Sequence, residues 1–269
     1  MRRLVSVFAV AAGILMLAAT SFPAAEICTL VVDANTRQTL VEAGDCTTPA
    51  TPASTFKIPL AVIGFDTGVL VGPHSPALAF QPGDPDWGGP AWREDTDPAH
   101  WMEHSVVWYS QRITHALGTD VMTAYVSAFG YGNADFSGDP GADNGLERAW
   151  ISSSLTISPR NQADFLLDLL DRRLPVSPDA IDNTLAIIQA FPAANGWTLH
   201  GKTGGAYPRN PDASFDYARG WGWFVGWADA PGRRLVFVRL TQDEERHADS
   251  PGLRARDALI ADWPALVAP

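Results

Sequence analysis

Lysine is nearly missing from this chain. Of its 19 basic residues only Lys57 and Lys202 are lysines, and the other 17 are arginines. Arginine stays protonated in a protein, whereas a desolvated lysine gives up its proton. A basic side chain that must cycle a proton is thereby confined to two positions, unless the pair is simply left over from a GC-rich coding bias. Cysteine is as scarce, with Cys28 and Cys46 alone. Positive charge is in deficit: 30 acidic residues against 19 basic give a net charge of −11. That argues against a nucleic acid or an anionic membrane as partner, and leaves a small substrate open. Long apolar runs are confined to the start. Arg2-Arg3 precede an uncharged, mostly apolar run over residues 4–19, and small residues follow. The run is short for a membrane span and ends like a cleavage site. Residues 1–25 are therefore expected to be a cleaved export signal, cut between 21 and 25. No stable span remains after cleavage, and the expected location is the periplasm.

What is present suits one catalytic domain over residues 26–269, with 46% apolar residues and ten tryptophans. Residues 27–32 and 38–42 read as a hairpin, and Cys28 and Cys46 lie on either side of its turn. An exported chain permits a disulfide there; free thiols or a bond between chains are the alternatives. A helix is expected over 54–65, with Pro59 as its oddity. Residues 71–100, rich in glycine, proline and aspartate, read as an irregular excursion. Helices follow over 105–117 and 120–129, then a turn at 130–133 and a loop over 135–144. Ser158-Pro159 opens another helix, and 178–189 is expected to be helical too. Residues 197–202, 218–228 and 234–240 read as an antiparallel strand group, closed by a helix over 251–263. The expected class is α/β (α+β): a central antiparallel sheet of five or more strands, flanked by helices, with a mostly helical lobe inserted.

The chemistry gathers at a few stretches. Ser54 and Lys57 are three apart, on one face of a helical turn, and can serve as nucleophile and base. Apolar Phe56, Ile58 and Leu60 surround the lysine and favour its neutral form. Ser105-x-Val107 offers a hydroxyl that relays a proton, or merely a helix cap. Lys202 and Thr203 can hold a carboxylate, and Gly204 permits close approach. The Trp150 indole can donate to a buried anion, or simply pack in the core.

In this order these stretches, with Tyr131-Gly132-Asn133, Leu155-Thr156-Ile157-Ser158 and Trp223-Phe224-Val225-Gly226-Trp227, resemble the serine β-lactamases and penicillin-binding proteins, and most closely the class D, oxacillinase-type enzymes. The resemblance spans essentially the whole mature chain. It implies that Ser54 is acylated by a β-lactam, and that Lys57 carries a carbamate from carbon dioxide or bicarbonate and acts as general base. No other cofactor and no metal are implied. Trp150 would hold the carbamate, with Val107 and Ile151 lining its pocket. Ser105 would pass a proton to the leaving nitrogen. Lys202 and Thr203 would hold the carboxylate end of the substrate, with Gly204 letting it approach the strand, joined by Arg254, with Arg256 as the alternative. The N–H groups of Ser54 and Gly205 would form the oxyanion hole. The Ser-Asp-Asn element and glutamate base of class A are not matched, and no motif places the nearby Glu147. Ser110 stands where the resemblance implies a bulky side chain, and a smaller, polar residue there would let water reach the carbamate. Loops 71–100 and 205–219 are expected to shape the cleft, with Trp101, Met102, Tyr207 and Phe215 as candidates for substrate contact. The competing readings are a penicillin-binding D,D-peptidase and a non-catalytic β-lactam sensor. Monomer and homodimer are both open.

Overall fold

The computed structural model describes residues 24–268. The export signal read at the N-terminus therefore lies, up to residue 23, outside the described residues. Six strands form one antiparallel sheet: β1 (Ala25–Asp33), β2 (Thr39–Gly44), β3 (Ala190–Pro192), β4 (Thr198–Ala206), β5 (Trp221–Ala230) and β6 (Arg233–Gln242), in the order β2-β1-β6-β5-β4-β3. Among the described residues seven α-helices accompany it: α1 (Lys57–Asp66), α2 (Pro98–His104), α3 (Val107–Ala128), α4 (Gly145–Arg148), α5 (Pro159–Leu170), α6 (Pro178–Ala186) and α7 (Pro251–Leu266).

Both faces of the sheet are buried, so β5 and β6 are apolar almost without interruption. Alternation assigns the side chains. Leu30, Val32, Val225, Val236 and Val238 join the large core under α1, α3 and α5. Val31, Phe224, Leu235 and Phe237 join Leu259 and Trp263 of α7 in a second core on the other face. The hairpin β1–β2 is fastened by a disulfide between Cys28 and Cys46, whose Cα atoms are 5.0 Å apart.

Local boundaries differ from the sequence reading in instructive ways. The first helix begins at Lys57, after a 3₁₀ turn over Ala53–Phe56. Pro59 thus falls in the first helical turn, where a missing N–H leaves no bond unmade. The helix expected over 178–189 ends at Ala186, and Ala190–Pro192 becomes a sixth strand that periodicity did not mark. Ser105 does not start a helix. It closes α2 in the left-handed conformation, φ 57°, and Val106 caps α3 instead. Gly118 breaks the long α3 at φ 78°, so the two expected helices abut across a kink.

Strand β3 pairs only with Thr198–His200 of β4. From Lys202 to Ala206 the strand is bonded to β5 on one side and, among the described residues, has no strand on the other. This free edge, beside the 3₁₀ turn, is where the site forms.

Candidate active site

Ser54 is set by a turn with little freedom. Ala53, just before it, is left-handed at φ 51°, a conformation costing a non-glycine residue about 1–2 kcal/mol. The surroundings hold it there. Thr55 Oγ1 donates to Pro52 O at 2.7 Å and accepts from Gln162 Nε2 at 2.7 Å. Thr51 Oγ1 donates to the Trp150 carbonyl at 2.9 Å, and Thr51 O accepts from Trp223 Nε1 at 2.9 Å. Helix α5, strand β5 and the Trp150 segment are thereby bolted to one turn. Gly204 lets β4 approach that turn: a Cβ there would sit 2.9 Å from Pro52 O. Gly204 thus faces the serine turn rather than the cavity, and Gly205 is the glycine exposed to the cavity.

Lys57 is 1% exposed and Lys202 3%. Both of the chain's lysines are therefore buried, and at one site. Lys57 Nζ lies 3.4 Å from Ser54 Oγ. Its pKa is held well below the ordinary 10.5, first by burial and then by the positive charge of Lys202. Lys202 donates to Ser105 Oγ at 2.5 Å. Burial, followed by the charge of Arg256, brings Lys202 down to about 7. Ser105 is thus held by a lysine poised near neutrality. Its left-handed backbone, at the junction of α2 and α3, aims the hydroxyl back toward β4.

These groups face a cavity of about 530 Å³, lined among others by Ser54, Ser105, Val107, Ile151, Thr203 and Gly205. Trp150 is 1% exposed and stacks on Phe56, with ring centroids 5.5 Å apart. The indoles of Trp92, Trp101, Trp108 and Trp223 all donate to oxygens. The Trp150 N–H has no such partner among the described residues. Asn133 of Tyr131-Gly132-Asn133 faces away from the cavity: its side chain bonds Ser154 O at 2.8 Å and the Thr156 N–H at 3.0 Å, clamping the segment after Trp150.

Other expected residues are placed elsewhere. Arg254 pairs with buried Asp243 at 2.5 Å. Arg256 pairs with Asp257 and lies over Phe191 at 5.2 Å, toward the second core. Neither arginine lines the cavity, although Ser250 and Leu253 beside Arg254 do. Glu147 is paired with His115 at 2.5 Å and is also absent from the lining. Trp101 and Met102 are fully buried rather than in the cleft. The Trp101 indole donates to Ser110 Oγ at 2.8 Å, so that small polar side chain has a fixed partner. Tyr207 lines the cavity, as do Trp87, Trp92 and His104, which the sequence reading did not single out. Trp87 carried a signal, being an apolar ring within a Gly/Pro/Asp-rich loop.

A family model described as the penicillin-binding protein transpeptidase domain matches residues 27–262. Beta-lactamase OXA-9 of Klebsiella pneumoniae is 43% identical over 244 residues, covering 89% of this chain and 88% of that protein. Beta-lactamase OXA-1 of Escherichia coli is 36% identical, covering 81% of this chain and 76% of that one. The crystal structure of the class D β-lactamase OXA-427 superposes with a TM-score of 0.81 at 45% identity, over 88% of this chain and 97% of that one. The penicillin-receptor domain of Bacillus licheniformis BlaR, at 24% identity and a TM-score of 0.71, shares the fold. The chain belongs to the class D serine β-lactamases, within the penicillin-binding-protein transpeptidase superfamily.

Proposed function

We propose that this chain opens β-lactam rings with Ser54 as nucleophile. Hydrolysis through a serine acyl-enzyme is the class D chemistry. One observation carries the assignment: both lysines of the chain, nearly solvent-free, meet the two serines at one cavity.

Ser54 Oγ attacks the ring carbonyl and its proton leaves toward Lys57. The developing oxyanion is met by the N–H groups of Ser54 and Gly205. As the C–N bond breaks, Ser105 gives its proton to the leaving nitrogen and is resupplied by Lys202. Water then cleaves the Ser54 ester, and the net change is one water added across the amide. Lys202 and Thr203 take the substrate carboxylate. Arg254 joins them only if it exchanges part of its pairing with Asp243.

Class D membership implies a carbamate on Lys57 Nζ, and the residues fit it. Only a neutral amine takes up carbon dioxide, and burial supplies that form. A buried anion needs donors, and the unpartnered Trp150 N–H is one. Val107 and Ile151 give the apolar wall. When present, the carbamate supplies a general base beside Ser54. The export signal read from residues 1–25 of the sequence supports the periplasm as the place of reaction.

The test is a time course of benzylpenicillin with the purified protein, read by absorbance and intact mass. Sustained turnover with free enzyme recovered is expected. One equivalent of product and a lasting adduct on Ser54 would instead indicate a penicillin-binding peptidase or a sensor.

A further inference from the structure

The catalytic cavity opens sideways into a second chamber of about 470 Å³, and Trp87, Ile151, Gly205 and Tyr207 belong to both walls. The far wall includes Arg148, Ala206, Phe215 and Tyr217. It is an aromatic surface. Tyr217 packs against Tyr207 at 4.8 Å and Phe215 at 6.0 Å. Trp87 is 65% exposed and Tyr217 46%. Large rings left half in water at a cavity mouth form a ready surface for another ring.

The chamber also carries uncancelled positive charge. Arg209 lies over the Phe215 ring at 4.0 Å and Arg148 at 5.7 Å. Both guanidiniums share one carboxylate oxygen, Asp139 Oδ2, at 3.2 Å from Arg148 and 3.3 Å from Arg209. Among the described residues no other carboxylate pairs with either, so two cations face one anion. Arg148 is the one on the chamber wall. Its buried Nε is the atom facing Asp139, at a poor hydrogen-bonding angle, and its Nη2 contact to Ile151 O is long, at 3.4 Å.

The direction of the substrate leads there. With its carboxylate end at Lys202 and Thr203 and its reactive carbonyl at Ser54 and Gly205, the acyl substituent runs on along the unpaired edge of β4. It passes Gly205 toward Ala206 and Tyr207, both of which line the chamber. An extended amide laid on a free strand edge is an ordinary mode of recognition.

We propose that this chamber is a subsite for an anionic aromatic acyl substituent: an aryl ring against Trp87, Phe215 and Tyr217, with a carboxylate on the carbon next to the amide carbonyl meeting Arg148. The proposal rests on the Ser54 reading above. Its test is kcat/KM for three penicillins on one nucleus, bearing α-carboxyphenylacetyl, phenylacetyl or no acyl group. The wild-type protein is expected to favour the first over the second. A charge-assisted hydrogen bond contributes about 1.5–3 kcal/mol, so Arg148→Gln should lower that preference about tenfold or more, and Arg148→Lys should retain most of it. Trp87→Ala should lower the phenylacetyl-to-bare-nucleus ratio about tenfold. Should Arg148→Gln not fold, the wild-type preference and the exposed Trp87 variant decide. No wild-type preference for the carboxylate, or ratios unmoved by these variants, would overturn the proposal. Failure of the wild type on all three penicillins would instead sink the Ser54 reading itself.

Discussion

A lysine gives up its proton more readily only if something outweighs its ordinary affinity for it, and at Lys57 that is burial reinforced by Lys202. Among the described residues no carboxylate pairs with Lys57 to favour its charged form. Trp150 tests the surroundings. Trp150→Phe keeps a ring to stack on Phe56 and removes its unpartnered N–H. Carbamate on Lys57, read by 13C NMR with labelled bicarbonate, should need roughly tenfold more bicarbonate for half occupancy. Unchanged occupancy would mean another donor holds it. That Ser54, Lys57, Ser105 and Lys202 come together was legible from the sequence, because each sits in a short motif. The state of Arg254 was not. Its pairing with Asp243 joins residues 11 apart across the end of a strand and the start of a helix, and no local pattern announces it.

Strand β4 and the Ser54 turn must lie within a fraction of an ångström of their working separation, and glycine sets it. Gly204→Ala would place a methyl 2.9 Å from Pro52 O and 3.1 Å from Thr55 Cγ2. The neighbour on the first side is backbone and cannot swing away. A displacement of about 1 Å at reacting groups costs about a hundredfold in rate. Loss of kcat/KM on that scale, with an unchanged circular dichroism spectrum, is expected; near wild-type activity would show that the separation is not critical. At this scale the sequence marked the hairpin, the strand group and most helices, since both buried faces of the sheet leave dense apolar runs. It missed β3, three residues long, which is too short for any period to show. It also gave Ser105 the wrong end of a helix, because a serine cap and a left-handed helix terminus look alike in a single sequence.

The molecule as a whole should answer to pH and to reduction. Lys202 has a folded value of about 7 against an ordinary 10.5. Below about pH 7 it is protonated in both the folded and unfolded chain, and the fold bears the full cost of burying the cation. Between these values the unfolded chain holds more protons, so stability rises with pH across that window. Lys202→Met should flatten the rise in urea midpoints measured between roughly pH 7 and pH 9; an equally steep rise would assign it to other groups. The disulfide closes a span of 18 residues. Replacing both cysteines by alanine should lower unfolding stability by about 3 kcal/mol, read by the same denaturation. The walls of the cavity were the least legible feature at this scale. Trp87, Arg148 and Tyr207 come from three separated segments, and only the closed fold brings them together. If Lys57 drives both formation and release of the Ser54 ester, intact mass spectrometry of Lys57→Ala with benzylpenicillin will show it. Slow acylation is expected, followed by a penicilloyl adduct that persists for hours, while the wild-type protein returns to its free mass. Rapid return of the variant to free mass, with continued hydrolysis, would contradict it.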